Sequence, residues 1–137
     1  MRQYIGTKII EAEPMSRGQG GKAEDGYKVR YPDGYESWSP KDVFEEAYRP
    51  TDCMSFGLAI EAMKKGKKVA RRGWNGKNQH IELATRISYM AADGVFVNVE
   101  HEAIGNKAIA FCGTSGVQMG WLASQADMLA DDWEVVE

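Results

Sequence analysis

The period of the hydrophobic pattern changes near residue 50, and that change organises the chain. Upstream of it the period is two. Residues 4–12 alternate enough to predict a strand, with Ile9 and Ile10 as core candidates. Residues 26–31 place Tyr27, Val29 and Tyr31 on one face of another strand. Pro32-Asp33-Gly34 is a turn signal, and Tyr35-Glu36-Ser37-Trp38 continues a hairpin. Residues 15–25 are Gly-rich and polar and read as a mobile loop. Ser39 reads as a helix N-cap with Pro40 at the first helical position. That helix is expected to run to about residue 48 and to present Val43, Phe44 and Ala47 inward, with Trp38 packed against it.

Downstream, Phe56, Ala59, Ile60 and Met63 fall at i, i+3, i+4 and i+7, one apolar helical stripe behind a Ser55 cap. Gly66 ends this helix at C′, and Lys64 and Lys65 suit its negative pole. Strands are expected over residues 67–72, 80–84, 95–99, 107–112, 117–121 and 133–136. Turns separate them at Gly73-Trp74-Asn75-Gly76, Ala91-Ala92-Asp93-Gly94 and Gly113-Thr114-Ser115-Gly116. Ser124 caps a short helix through Leu129. The fold class is α+β: a small antiparallel sheet packed with short helices over residues 54–137, preceded by a small β-rich module over residues 1–50. Pro50 biases Arg49 away from helix, so Arg49-Pro50-Thr51-Asp52 reads as the linker.

Composition narrows the class. With 137 residues, 43% hydrophobic content and 4 Pro, the chain reads as a packed soluble protein. No apolar run approaches the roughly 18 to 20 residues of a membrane span, and the N-terminus lacks the apolar core of a signal peptide. A cytosolic chain with no membrane partner is expected. Cys53 and Cys112 leave both one disulfide and two free thiols open, and a reducing cytoplasm favours two free, buried thiols.

Charge changes the picture further. A net charge of −3 argues against a duplex nucleic-acid partner, which needs a basic footprint. Yet Lys64, Lys65, Lys67, Lys68, Arg71, Arg72 and Lys77 form a run without one acid, while Asp127, Asp131, Asp132, Glu134 and Glu137 close the chain without one base. These are two solvated surfaces, or else the basic run borders an anion site or meets the acidic tail of a neighbouring subunit.

Hydrolysis or group transfer needs a nucleophile with a base, paired carboxylates or a metal set. The histidines are His80 and His101, and there is no H-E-x-x-H, paired Cys or G-x-S-x-G. Asp131 and Asp132 are adjacent and point apart, His101 reads as solvent-exposed, and His80 as a structural or surface residue. The pattern predicts no catalytic residues, no metal site and no cofactor.

Binding is better supported. Gly73-Trp74-Asn75-Gly76 puts an indole between two glycines, which let a ligand approach the backbone closely. Asn75 offers a donor and an acceptor for a base edge or ribose hydroxyl. Arg71, Arg72 and Lys77 are phosphate partners. Trp74 either stacks a base or plugs the end of the core. Trp121 precedes the Ser124 cap, where a helix N-terminus favours an anion. Asp127, one turn in, either serves a ribose hydroxyl or favours the helix dipole. Trp133 reads as core. Thr114 and Ser115, in the turn before Gly120-Trp121, are further candidates.

Four pieces in order carry a family resemblance: Met54-Ser55-Phe56-Gly57-Leu58-Ala59-Ile60, Arg72-Gly73-Trp74-Asn75-Gly76-Lys77, Gly120-Trp121-Leu122-Ala123-Ser124, and Asp127-Met128-Leu129-Ala130-Asp131-Asp132-Trp133-Glu134-Val135. Over residues 54–137 the chain resembles the Thoeris anti-defence protein two family of phage proteins. The resemblance implies a sponge that binds cyclic ADP-ribose signals made by bacterial TIR-domain defence proteins and does not cleave them. Some members also hold cyclic oligonucleotides. It implies a homotetramer with ligand pockets at subunit junctions, acting in the host bacterial cytoplasm. Trp74, Asn75, Gly76, Trp121 and Asp127 match the family's motif positions and are the implied pocket residues. Residues 1–50 lie outside this resemblance and are similar to an accessory module of phage and gut bacterial proteins. The alternative is a structural or protein-interaction module whose tryptophans are core.

Overall fold

Short strands punctuated by glycine turns, with an apolar helical stripe between two sets of them, fold as an α+β protein. The computed structural model describes residues 1–18, 21–74, 78–86, 88–97 and 107–136. The chain divides into two compact units, Met1–Pro50 and Thr51–Glu137.

The first unit is an antiparallel sheet of β1 (Glu11–Pro14), β2 (Gly26–Arg30) and β3 (Glu36–Pro40), in that order, followed by α1 (Lys41–Ala47). Three expectations change here. The first strand begins at Glu11 and not at residue 4, because Glu11 pairs with Arg30, the last residue of β2, and the chain then turns back. Tyr4 and Ile5 are exposed, and Ile9 and Ile10 are half-buried. Ser39 is not the cap of α1. It stays in β3 opposite Tyr27, and Pro40, with no side-chain cap, precedes the helix. Finally, Phe44 turns inward as expected, but Val43 and Ala47 are exposed and Tyr48 takes the inward place beside Phe44. Phe44 stacks on Tyr27 at 4.2 Å and on Tyr48 at 5.0 Å.

Register explains where Trp38 goes. It sits opposite Lys28, on the face of the sheet away from Tyr27 and Val29, so it does not pack on α1. Its ring lies over Gly26 and under the Arg17 guanidinium at 3.8 Å, and its Nε1 donates to the Met15 carbonyl at 2.7 Å. Val29, 1% exposed, is the buried hydrophobic residue of this unit among those described.

In the second unit, α2 (Phe56–Lys64) is capped by Ser55, whose side chain accepts from the Leu58 N–H. It ends at Gly66, where φ of +85° provides the left-handed turn. Then follow β4 (Lys68–Arg71), β5 (His80–Ala84), the two-stranded ribbon of β6 (Tyr89–Met90) and β7 (Phe96–Val97), β8 (Ala108–Gly113), β9 (Gly116–Met119), α3 (Gln125–Leu129) and β10 (Trp133–Val136). The main sheet has the order β10-β4-β5-β8-β9 and is antiparallel throughout. The strand expected over residues 95–99 is seen as β7. Its last residues and His101 lie outside the described residues.

Period-two alternation gives this sheet two faces. Val69, Ile81, Phe111, Ile109 and Trp133 face α2, whose Ala59, Ala62 and Met63 complete the core. Lys68, Ala70, His80, Glu82, Ala110 and Cys112 fall on the other face. Cys53 and Cys112 are both free, but Cys53 is exposed rather than buried, its thiol donating to the Asp131 carbonyl at 3.5 Å. Among the described residues no helix is long and apolar enough to cross a membrane.

Candidate functional site

Three tryptophans from separated segments meet at one end of the core. Trp133 opens β10, is 0% exposed, and exchanges backbone hydrogen bonds with Met54. Its Nε1 donates to the Asp127 carbonyl at 2.9 Å, so the indole is satisfied as well as buried. Trp74 follows β4, where its N–H donates to the Arg71 carbonyl and closes a tight turn. Gly120 adopts φ of +79°, which lets its own N–H and that of Trp121 both reach the Ile109 carbonyl, at 3.1 and 3.0 Å. This seats Trp121 beside the first two.

The indoles pack edge to face. Centroids of Trp74 and Trp133 lie 5.3 Å apart, those of Trp74 and Trp121 5.9 Å, and those of Trp121 and Trp133 6.3 Å. Phe111 and Phe56 extend the cluster, at 5.6 Å from Trp74 and 5.2 Å from Trp133 respectively. Trp133 is sealed, whereas Trp74 and Trp121 are half-buried and keep part of their surface in solvent. At these separations the rings touch, leaving no gap for a base between Trp74 and Trp121. Only their outward surfaces are open to a ligand.

Arg71 and Asp127 brace the cluster from below. Arg71 lies opposite Trp133 in the sheet and reaches Asp127 Oδ1 through Nη1 and Asp132 Oδ1 through Nε, both at 3.0 Å. Hydrogen bonds from the Arg71 guanidinium to Asp132 and then Asp127 raise the Arg71 pKa further. The acidic tail thus meets the basic run within one chain. Asp127 is also the N3 residue of a capping box: its N–H donates to Ser124 Oγ, and its Oδ2 accepts from the Ser124 N–H, each at 3.0 Å. Burial opposes its ionisation, but the Ser124 backbone and side-chain bonds and the Arg71 guanidinium outweigh it and hold the carboxyl below its ordinary value. Its carboxylate fills the place at the start of α3 where an external anion was expected.

The model of the Thoeris anti-defense 2-like domain matches residues 54–136. This chain belongs to that family. The protein named Thoeris anti-defense 2 from Bacillus phage SP01 is 39% identical over 89 residues, which cover 61% of this chain and 94% of the phage protein. The name describes anti-defence, an inhibitory role. Within the Thoeris anti-defense 2-like domain, the fold carries Trp74, Trp121 and Asp127 to one place. Arg72 is exposed, and its guanidinium donates to the Asp52 carbonyl. Asn75, Gly76 and Lys77 lie outside the described residues. Thr114 and Ser115 form the tip of the β8–β9 hairpin, beyond the Gly113–Gly116 pair. Trp121 sits at its base against Ile109, and four residues of strand lie between Ile109 and Thr114, a span of about 17 Å.

One constellation escaped the sequence reading. On the other face of the sheet His80 lies directly opposite Cys112, and Glu82 follows two residues on. The Cys112 thiol donates to Glu82 Oε1 at 3.1 Å, and His80 Nε2 lies 3.7 Å from the same oxygen. Burial, then the Glu82 carboxylate, pushes the Cys112 thiol pKa up against an opposing pull from Lys68. The alternation His80-Ile81-Glu82 was visible in the sequence, but its pairing with Cys112 depends on a register that no local signal reveals.

Proposed function

We propose that the Thoeris anti-defense 2-like unit captures a cyclic nucleotide immune signal of the cyclic ADP-ribose class without cleaving it, and so blocks bacterial anti-phage defence from within the host cytoplasm. The observation that carries this reading is the meeting of Trp74 and Trp121, from segments far apart in the chain, as half-buried rings over a sealed Trp133. A purine stacks on their outward surfaces, since indole stacking holds a base whatever its edge pattern. Arg72 is the exposed cation nearest in sequence to Trp74 and serves the pyrophosphate. Arg71 does not, because Asp127 and Asp132 occupy it.

A single copy offers this ligand one wall. Leu122, directly after Trp121, and Leu129, the last residue of α3, are 89% and 73% exposed. Apolar side chains set so far into solvent favour burial against a second copy of the chain. A homo-oligomer, in the tetrameric form that the resemblance implies, closes the pocket at a subunit junction.

The test is uptake followed by release. The protein is incubated with a cyclic ADP-ribose isomer, separated from free ligand and heat-denatured. Intact ligand in the supernatant is the expected result. A cleaved product makes the protein an enzyme, and no uptake removes the proposal. Trp74→Ala should weaken capture by about 1–3 kcal/mol while the fold persists. Native mass spectrometry reads the subunit count and the ligand stoichiometry together.

A further inference from the structure

His80, Glu82 and Cys112 face away from the tryptophan cluster and take no part in signal capture. Their donor atoms all lie within 4.8 Å of one another. His80 Nδ1 is 2.9 Å from the Asn78 carbonyl, which only accepts, so Nδ1 donates there and Nε2 is the nitrogen left to face Glu82. Asn78 holds φ of 64°, the left-handed conformation that asparagine tolerates, and this turn brings its carbonyl back to the ring. Among the described residues Nε2 is buried and has no hydrogen-bond partner. Its nearest acidic neighbour, Glu82 Oε1, is itself an acceptor at 3.7 Å. Glu82 Oε1 already accepts from the Cys112 thiol, so a cation that displaces the thiol proton would join all three groups in that gap.

We propose that His80 Nε2, Glu82 Oε1 and Cys112 Sγ bind a divalent transition metal of the zinc class, with a fourth position open to water. The donor set of one imidazole, one carboxylate and one thiolate suits a borderline-soft cation and disfavours magnesium or calcium, which take oxygen ligands. Bond lengths of about 2.0–2.3 Å to N, O and S require donors roughly 3.3–3.8 Å apart in a tetrahedron. The 3.7 Å separation lies inside that range and the 3.1 Å separation just below it, and one donor atom from each of the three residues lies within 4.8 Å of the others. On binding, the Cys112 S–H bond breaks, its proton leaves to solvent, and the sulfur pair forms the metal bond. The Asn78 carbonyl orients the imidazole from behind, as outer partners of ligating histidines do. Because the ligands come from neighbouring strands, the metal clamps β5 to β8 on the face of the sheet opposite α2.

The full chain, stripped with a chelator, is titrated with zinc chloride by calorimetry and with cobalt chloride by absorbance. One equivalent of either metal per chain is expected, with a thiolate-to-cobalt charge-transfer band in the near ultraviolet. Cys112→Ser should abolish the band, and His80→Gln should weaken zinc binding on the order of tenfold or more. Cys53→Ser should leave both unchanged, since Cys53 lies elsewhere on the surface. Zinc should raise the Tm of the wild type by more than that of His80→Gln at the same concentration, a readout that also shows whether the variant folds. A wild-type titration without a band, or a band that survives Cys112→Ser and vanishes with Cys53→Ser, overturns the assignment. So does binding unchanged in His80→Gln, which would leave the histidine as the cationic partner of Glu82 alone.

Discussion

In residues 51–137, Met54, Ala59, Ala62, Met63, Val69, Ile81 and Trp133 are buried against one another, whereas in residues 1–50 Val29 is the one buried hydrophobic residue described. The first unit instead relies on contacts that stay near water. Tyr27, Phe44 and Tyr48 stack in a row, Tyr27 hydrogen-bonds Glu45, and Arg17 covers Trp38. Such stacks are worth about 0.5–1.5 kcal/mol each and exposed cation–π pairs about 0.5–1 kcal/mol. The second unit concentrates its stability in a few side chains, and the first spreads it over many. A small unit has little core to draw on, so this division follows from size.

Removing Trp133 tests the comparison most severely. The side chain is 0% exposed and touches Phe56, Trp74 and Trp121. Trp133→Ala should cost about 3–5 kcal/mol in denaturant unfolding, and Phe44→Ala in the first unit markedly less. A loss below about 1 kcal/mol for Trp133→Ala would show that the cluster is not a core element.

Gly26→Ala probes the tightest glycine of the first unit among those described. A Cβ there would lie 2.3 Å from the Trp38 ring and 2.4 Å from the Ser39 carbonyl oxygen. The ring can tilt only by giving up its bond to Met15 and its Arg17 cover, and the backbone oxygen is held in the β2–β3 ladder. Overpacking of this kind costs about 1–3 kcal/mol. The variant should also shift Trp38 fluorescence, and unchanged fluorescence and stability together would mean that the indole does not lie over Gly26.

What the sequence disclosed divides along the same lines. Where a signal is local it reads true: Ser55 and Ser124 cap their helices, Gly66 ends one, and the α2 stripe faces the core. Trp133 reads as core because it is an indole in the closing strand. The errors in the first unit come from strand pairing overriding local preference. Ser39-Pro40 is a good helix start in isolation, but pairing of Tyr27 with Ser39 and Gly26 with Pro40 keeps both in the sheet. In the site, a capping Ser124 with a carboxylate three residues on was legible, while the reach of Arg71 across 56 residues to that carboxylate was not. That contact exists because β4 and β10 are neighbours in the sheet, a fact of topology.

Asp127 gives the finest test, because it contrasts an enclosed charge with exposed ones. Its side chain is 16% exposed, and Arg71, its partner, 26%. Glu36, which pairs with Lys28 and Arg30 in the first unit, is 40% exposed and is screened by water and salt. Asp127→Asn keeps the shape and an acceptor oxygen for Ser124 but loses the charge. At neutral pH it should cost about 1–2 kcal/mol, while Glu36→Gln should change stability less. The loss stays moderate because Arg71 retains Asp132 at 3.0 Å. The folded-state carboxyl titrates below its ordinary value, so the wild type holds this stability above the unfolded carboxylate pKa of about 3.9 and loses it as pH falls through the lower folded value. Urea unfolding across that acid range should therefore show wild type and Asp127→Asn converging as Asp127 protonates. A gap that persists undiminished to the lowest pH would mean that the carboxylate's charge contributes nothing, and that the capping geometry alone holds α3 beneath the tryptophans.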